Sequence, residues 1–354
     1  MNDLEAKPIG LINGSRDYKK YQDYAQYSSY DTKYSKFDFG FNEKLSNVCY
    51  INSSIQCLFH LKKFVYFILY KGYGNSLYNS TRELLMNMVD PKKKILSVEN
   101  IKSEMSKIDT KYKYNNQEDA NEFISNFLDA LVEETSHKIY KIEYKINGNN
   151  KELEFAFEKF CNKFYMRKGD SKMLDLFYGN YLTKTTCKSC ESNVFKFSAF
   201  NMIELPIYII NKCNKRQKLD IDEILKSYFS ESKIYEAICG KCHKKELYSR
   251  TFISKLPENL IIFFGRTTND EYIDTKIEYS EKAIDLSNYL FNIVQNSYSL
   301  SGVIHYTSFG RKIGHYTASC KYKNGWLHFD DNNIYEINKP QDFNGEIILF
   351  YESI

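Results

Sequence analysis

The chain has 354 residues, of which 43% are hydrophobic and 27% are charged, and its formal net charge is +4. Such a chain can build a large core or two to three packed subdomains, and a charge this small for its length does not favour a nucleic-acid partner. The longest apolar run, residues 64–70, is too short to cross a bilayer, so we expect no membrane association.

The first residues, Met1–Glu5, are followed by no apolar core, so the sequence predicts no secretory signal peptide. We therefore expect a reducing interior, either the cytoplasm or the nucleus. In such a compartment the nine cysteines are expected to serve metal binding or catalysis more often than disulfide formation.

Residues 1–36 are polar, and tyrosine recurs at every third position from Tyr18 to Tyr30. Neither a helix nor a strand presents one face at that interval. We predict a disordered or loosely attached tail here, with docking of a partner as the alternative.

Cys49 lies where a loop is predicted to become a helix. Apolar residues such as Ile51 and Ile55 recur after it at helical spacing, which predicts a helix from Cys49 to about Tyr70. The free backbone N–H groups and the positive end of the helix dipole favour the thiolate, which is the nucleophilic form of cysteine. Asn47 could offer an amide N–H to an oxyanion beside the sulfur. A small cysteine packed at a helix start is the alternative.

Further helical patterns follow at residues 81–89, 95–108 and 153–166. From about Leu174 onward, short segments rich in Tyr, Phe and Ile predict strands. This change marks a boundary between a helical lobe and a mixed β region.

Another predicted helix begins near Asn116, a good N-cap with Asp119 three residues later in a capping-box arrangement. Asp119 and Glu122 are separated by three positions, so both carboxylates share one edge near the helix start. Compensation of the helix dipole is the simplest interpretation of these two charges.

Two Cys-x-x-Cys pairs lie in the β-rich region, namely Cys187 with Cys190 and Cys239 with Cys242. Each pair offers two thiolates, and two such pairs complete a tetrahedral zinc site. All four ligands are cysteine and leave no position for water, so the sequence predicts one structural Zn²⁺ per chain. Unrelated thiols or a redox pair are the alternatives.

A histidine and an aspartate flank a predicted hairpin near the C-terminus. Residues around His315 alternate as in a strand, and Asn324-Gly325 predicts a two-residue turn that brings Asp330 back beside His315. A histidine next to a carboxylate is held in one tautomer and can deprotonate a thiol. Together with Cys49, this pattern indicates a Cys–His–Asp hydrolase. Asp331 is a second carboxylate that could share the orienting role, although successive strand residues face opposite ways.

These motifs, in this order, resemble the ubiquitin-specific proteases, a papain-like family of cysteine deubiquitinases. The family's Cys box is matched at Asn47, Cys49, Tyr50, Asn52, Ser53 and Gln56. Its Q-Q/E-D-A-x-E-F motif is matched at 117–123, and its His box at 314–318 and 326–331. Ser46 and Val48 replace the usual Gly and Thr, and 263–267 departs from the usual L-K-R-F. The resemblance covers about residues 38–354.

The resemblance implies an α+β fold of the papain-like cysteine protease type, shaped as a hand. The thumb would span about residues 37–170, the zinc-containing fingers about 171–260 and the palm about 261–354. The fingers would grip ubiquitin, and its C-terminal tail would thread between thumb and palm.

The resemblance also assigns roles to residues. His315 would take the proton of Cys49, Asp330 would orient His315 with Asp331 in support, and Asn47 would hold the oxyanion. Implied substrate-binding residues are Gln117, Asp119, Glu122 and Tyr316. In this interpretation the two carboxylates meet the basic tail of ubiquitin instead of the helix dipole, and Tyr316 walls a channel that admits only glycine.

The expected function is therefore hydrolysis of the thioester, ester or isopeptide bond at the C-terminal glycine of ubiquitin. One alternative is a protease for a ubiquitin-like modifier, because several modifiers share a Gly-Gly end. Another is a non-catalytic ubiquitin-binding module, against which the complete triad argues. A zinc-stabilised interaction scaffold is the third, and it would not need His315.

Overall fold

The computed structural model describes residues 10–11, 47–89, 95–139, 150–211, 217–268, 271–292, 297–310 and 313–354. Its helices are α1 (Cys49–Phe59), α2 (Lys62–Tyr66), α3 (Ser76–Val89), α4 (Glu99–Ile108), α5 (Ala120–Thr135), α6 (Lys151–Lys168), α7 (Lys172–Phe177), α8 (Ile207–Asn211) and α9 (Ile221–Tyr228), with a π-helical turn at Phe67–Lys71 and 3₁₀ turns at Thr110–Lys113, Ser287–Tyr289 and Pro340–Asp342.

The strands are β1 (Gly10–Leu11), β2 (Ile95–Leu96), β3 (Gly179–Cys187), β4 (Asn193–Phe200), β5 (Ile203–Pro206), β6 (Lys218–Asp220), β7 (Ser232–Ile234), β8 (Leu247–Lys255), β9 (Asn259–Gly265), β10 (Thr267–Thr268), β11 (Glu271–Tyr272), β12 (Lys276–Glu278), β13 (Tyr298–Gly310), β14 (Ile313–Tyr322), β15 (Gly325–Asp330), β16 (Asn333–Ile337) and β17 (Glu346–Ser353). This mixture of a helical lobe and largely antiparallel sheets confirms the predicted α+β class. No helix among the described residues is long and apolar enough to span a membrane.

Helix α1 lies at the centre of the helical lobe, and every one of its residues is buried. The ring of Tyr50 packs edge-on against Phe123 of α5 with 5.7 Å between centroids. Gly302 of β13 allows a close approach from the other side, because a Cβ there would come within 3.1 Å of the Cys57 sulfur. A helix surrounded in this way holds its first residue, Cys49, in a fixed place.

The helix predicted to run from Cys49 to about Tyr70 is interrupted. Helix α1 ends at Phe59, Leu61 is extended, and α2 and the π-helical turn follow. The break redirects the chain so that Phe64 packs against Phe177 at 5.4 Å. Burial of these aromatic rings therefore prevails over continuation of the helix.

Other element boundaries also differ from the predictions. Residues 95–96 form β2 instead of starting a helix, and α4 begins only at Glu99. Helix α3 begins at Ser76, earlier than the predicted 81, whereas the helix predicted at 153–166 is confirmed as α6. Helix α7 occupies the start of the region predicted to be β-rich.

Asn116 was predicted to cap the helix that carries Glu122, and this prediction is wrong. The N-cap is Asp119, and its side chain makes no capping hydrogen bond. Gln117 in the preceding segment bonds to the backbone of Gly314 on β14. That long-range contact prevails over the local capping preference.

Of the predicted N-terminal tail, only Gly10–Leu11 lies within the described residues. These two residues form β1, which pairs in parallel with β2 of the helical lobe. The remainder of residues 1–36, including the tyrosine repeat, lies outside the described residues.

Among the described strands, seven form the largest sheet, in the order β16-β15-β14-β13-β17-β9-β5. Neighbouring strands are antiparallel, except that β5 is parallel to β9. One face packs on α1 through residues such as Ile304 and Ala318, and the other buries Val303 and Leu349 in a second core. This sheet places β14 beside the first turn of α1.

A second, smaller sheet has the order β4-β3-β8-β7. Helix α6 covers it through a third hydrophobic cluster, in which Phe157 packs on Phe197 with 5.0 Å between ring centroids. Cys187 is the last residue of β3, Cys190 follows it, and Cys239 and Cys242 lie between β7 and β8.

Candidate active site

Cys49 is the first residue of α1, as predicted, and only 3% of its surface is exposed. The chain enters the helix through Asn47, whose φ of 57° is in the left-handed region, where asparagine is well tolerated. The side-chain amide of Asn47 donates to the carbonyl oxygen of Asn115 at 2.9 Å. In this conformation the amide holds the loop, so its role at an oxyanion stays a prediction.

His315 lies near the start of β14, and its Nε2 is 2.6 Å from Oδ1 of Asp330, the last residue of β15. The predicted proximity of this pair is confirmed. The turn between the strands consists of Lys323 and Asn324, because Gly325 already pairs with Tyr322. The prediction of Asn324-Gly325 as the turn is therefore wrong by one residue.

The electrostatics of His315 favour its charged form. Burial alone would lower the pKa of His315, but hydrogen bonds to Asp330 and Cys49 outweigh burial and raise it to about 11. Because Asp330 takes Nε2, Nδ1 is the ring nitrogen that can meet the thiol. The site therefore favours the imidazolium form of His315.

Asp331 was predicted to continue the strand and so to face away from Asp330. It instead lies in the turn after β15, with a left-handed φ of 52°. Its Oδ2 is 4.0 Å from Nε2 of His315, and its Oδ1 accepts a hydrogen bond from Nδ2 of Asn52 at 2.8 Å. Both carboxylates therefore approach the imidazole, with Asp330 closer, because the strand ends between them.

Gln117 spans the cleft between the helical lobe and the large sheet. Its side-chain amide donates to the carbonyl oxygen of Gly314 and accepts from the Gly314 N–H at 3.0 Å. The same amide nitrogen is 3.8 Å from the Cys49 sulfur. Gln117 therefore ties the residue before His315 to the loop that precedes α5.

The two carboxylates at the start of α5 have different partners. Tyr316 donates from its hydroxyl to Oδ1 of Asp119 at 3.4 Å. Glu122 forms an ion pair with Lys111. The sequence indicated a shared acidic edge but gave no sign of this lysine, which is contributed by a 3₁₀ turn.

Two tyrosine rings pack against each other close to His315. Tyr316 is 4% exposed, and its ring centroid is 4.6 Å from that of Tyr306 on β13. Tyr306 also covers Gly314, where a Cβ would come within 2.3 Å of the tyrosine ring. Tyr306 was missed in the sequence, because only the register of β13 against β14 places it opposite Tyr316.

The two cysteine pairs meet at the end of the smaller sheet. All four sulfur atoms lie within 4.8 Å of one another. Cys187 and Cys242 are 3.5 Å apart, and Cys190 and Cys239 are 3.7 Å apart. Hydrogen bonds from the backbone of Cys242, the Ser192 side chain and the backbone of Lys241 lower the pKa of Cys239 to about 5. Four close sulfurs with such donors can hold a metal ion.

The sequence model of the ubiquitin carboxyl-terminal hydrolase family matches residues 42–351. The chain belongs to this family. The resemblance to ubiquitin-specific proteases found in the sequence is thereby confirmed.

Characterised relatives of the ubiquitin carboxyl-terminal hydrolase family resemble the chain over most of its length. Ubiquitin carboxyl-terminal hydrolase Usp2 of Drosophila melanogaster is 24% identical over 87% of this chain and 34% of that protein. Ubiquitin carboxyl-terminal hydrolase 4 of Arabidopsis thaliana is 27% identical over 89% of this chain and 93% of that protein. The chain spans only 34–39% of the length of the first relatives that it matches.

Solved structures of deubiquitinase modules share the fold. The SAGA DUB module containing Ubp8, Sgf11, Sus1 and Sgf73, bound to monoubiquitin, matches with a TM-score of 0.67 and 16% identity over 96% of this chain and 74% of that chain. The same module bound to ubiquitin aldehyde matches with a TM-score of 0.65 and 18% identity over 88% of this chain and 68% of that chain. The predicted papain-like protease fold is confirmed by this likeness.

Proposed function

We propose that this chain is a thiol-dependent deubiquitinase that hydrolyses the thioester, ester or isopeptide bond at the C-terminal glycine of ubiquitin. The observation that carries the proposal is the placement of a helix-start cysteine beside a histidine held by a carboxylate at 2.6 Å. The family membership and the relatives' names support the choice of ubiquitin as substrate.

His315 takes the proton of Cys49, and the thiolate attacks the carbonyl carbon of the terminal glycine. The backbone N–H of Cys49 stabilises the oxyanion, and the side-chain amide of Asn47 joins it after leaving Asn115. The carbon–nitrogen bond of an isopeptide then breaks, and His315 gives its proton to the departing lysine amine. Water, deprotonated by His315, hydrolyses the thioester and releases Cys49. Asp330 holds the ring of His315 in one orientation throughout.

The walls of the cleft support recognition of a Gly-Gly end. Tyr306 packs on Tyr316 and also covers Gly314, so we expect a side chain on the penultimate residue of the substrate to meet an aromatic ring. Asp119 and Glu122 lie at the start of α5, where they can pair with a basic tail. Glu122 would exchange Lys111 for a substrate arginine on binding.

We further assign the four-cysteine cluster to one Zn²⁺, which would supply structural cross-linking of the smaller sheet. Tetrahedral zinc thiolates with bonds of about 2.3 Å place sulfur atoms about 3.8 Å apart, which agrees with the 3.5 and 3.7 Å separations. The four cysteines of the cluster and the thiol of Cys49 must stay reduced for these roles, which supports a location in the cytoplasm or nucleus.

A protease for a ubiquitin-like modifier is the second candidate, because the glycine channel would admit any Gly-Gly end. Incubation with a panel of modifiers that carry a C-terminal electrophile separates the two. We expect a covalent adduct with the ubiquitin probe, and none after Cys49→Ala. An adduct with another modifier but not with ubiquitin would overturn the substrate assignment. The absence of an adduct with every probe would favour a non-catalytic binding module.

A further inference from the structure

Asn52 makes a buried contact between the two halves of the active site. It lies on α1 one turn after Cys49, and only 3% of its surface is exposed. Its Nδ2 donates to Oδ1 of Asp331 at 2.8 Å, across 279 positions of sequence. A side chain this buried offers almost no surface to a substrate, and its contact with Asp331 connects it to His315.

Both the backbone and the side chain of Asp331 are constrained. It is 7% exposed and adopts a left-handed φ of 52°, which aspartate tolerates better than most residues. One carboxylate oxygen is bonded to Asn52, and the other is 4.0 Å from Nε2 of His315. The bond to Asn52 therefore decides which way the second oxygen points.

Two carboxylates so close together repel each other, and burial penalises the charge of Asp331 further. A hydrogen bond from a neutral amide to a carboxylate favours the charged form. Asn52 thus stabilises the Asp331 carboxylate in the orientation that faces the imidazole. The same bond ties the helix of the nucleophile to the turn that follows Asp330.

Resting on the proposed deubiquitinase activity, we propose that Asn52 is a positioning residue that acts through Asp331 to keep the His315 imidazolium facing Cys49. The other titratable groups around the imidazole are Cys49, Asp330 and the buried His328. Burial lowers the pKa of His328 to about 4, so His328 stays neutral above that range.

The first test is steady-state hydrolysis of a fluorogenic ubiquitin substrate by Asn52→Ala. Loss of a hydrogen bond to a charged group predicts a fall in kcat of roughly ten- to a hundredfold, with KM changed less than about threefold. The alkaline limb of the pH profile should move to lower pH, because the imidazolium loses part of its stabilisation. Asn52→Ser, which keeps a hydroxyl donor, should recover part of kcat.

The matched control is Ser54→Ala. Ser54 is equally buried on α1, but its hydroxyl donates within the helix, to the carbonyl of Tyr50 at 2.6 Å. Ser54→Ala should shift the melting temperature without moving the pH profile. If both variants lose activity only in proportion to stability, or if Asn52→Ala raises KM alone, the proposal is overturned.

A double-mutant cycle separates positioning from a general effect on folding. In the Asp331→Ala background, Asn52→Ala should lower kcat by less than about twofold. The effects of two substitutions are not additive when both residues act through the same contact. If the two losses of kcat multiply in the double variant, Asn52 does not act through Asp331.

Alkylation of Cys49 by iodoacetamide, followed by mass analysis of its peptide, needs no ubiquitin. The pH at which alkylation becomes rapid should be higher in Asn52→Ala than in the unmodified chain or in Ser54→Ala. Unchanged alkylation profiles would overturn the positioning role. If instead none of the variants nor the unmodified chain hydrolyses ubiquitin while the alkylation shift is present, the proposed substrate fails and the role of Asn52 stands.

Discussion

Replacement of Asp330 by alanine removes the carboxylate nearest to His315, the proposed base, at 2.6 Å from its Nε2. In a serine-protease triad, disabling the orienting aspartate lowers turnover about 10⁴-fold. Here Asp331 remains 4.0 Å from the same nitrogen. Attraction between unit charges at that separation is about 4 kcal/mol at an effective dielectric of 20, so part of the effect is retained. We therefore expect Asp330→Ala to lower kcat by about 10³-fold.

Asp331→Ala should have a smaller effect and lower kcat roughly ten- to a hundredfold, because Asp331 is the carboxylate more distant from His315. The pH dependence gives a second readout. Asp330 and Cys49 together raise the pKa of His315 to about 11 against the effect of burial. A group with a raised pKa holds its proton until the pH passes that value, so loss of Asp330 must move the alkaline limb of kcat to lower pH.

The assay is turnover of a fluorogenic ubiquitin substrate by both variants between pH 6 and the alkaline limit of stability, with the melting temperature measured alongside. We expect Asp330→Ala to lose at least about ten times more activity than Asp331→Ala, with both variants folded. If Asp331→Ala is the inactive enzyme and Asp330→Ala the mild one, the assignment from distance is wrong and Asp331 is the orienter.

The remaining predictions concern the nucleophile, the metal and the acidic residues of α5. Cys49→Ala should abolish hydrolysis but keep ubiquitin binding in a pull-down, whereas Cys57→Ala should remain active; normal turnover by Cys49→Ala would exclude it as nucleophile. Elemental analysis should find one zinc per chain, and Cys239→Ser should lower the melting temperature; a fully active chain purified without zinc would contradict this. Asp119→Asn should raise KM more than it lowers kcat, and loss of kcat at unchanged binding would indicate a structural role instead.

Local sequence was sufficient for several features whose signal came from neighbouring residues. The polar approach and helical spacing around Cys49 determined that this residue begins a helix, and the hairpin placed Asp330 near His315. The two Cys-x-x-Cys pairs determined that four thiols would meet, since each pair is a short-range unit that needs only one partner. Strand alternation and helix periodicity arise within a few residues of chain, so a single sequence reveals them.

Tertiary structure decided the features that depend on contacts between distant segments. Helix α1 ends at Phe59, and the break after it allows Phe64 to pack against Phe177. The N-cap of α5 is Asp119 and not Asn116, because Gln117 between them bonds to Gly314. The turn that follows Asp330 brings Asp331 to both His315 and Asn52, although strand alternation predicted that it would face away. Such contacts join positions that are far apart in the chain, and their free energy exceeds the small local preferences that a sequence pattern expresses.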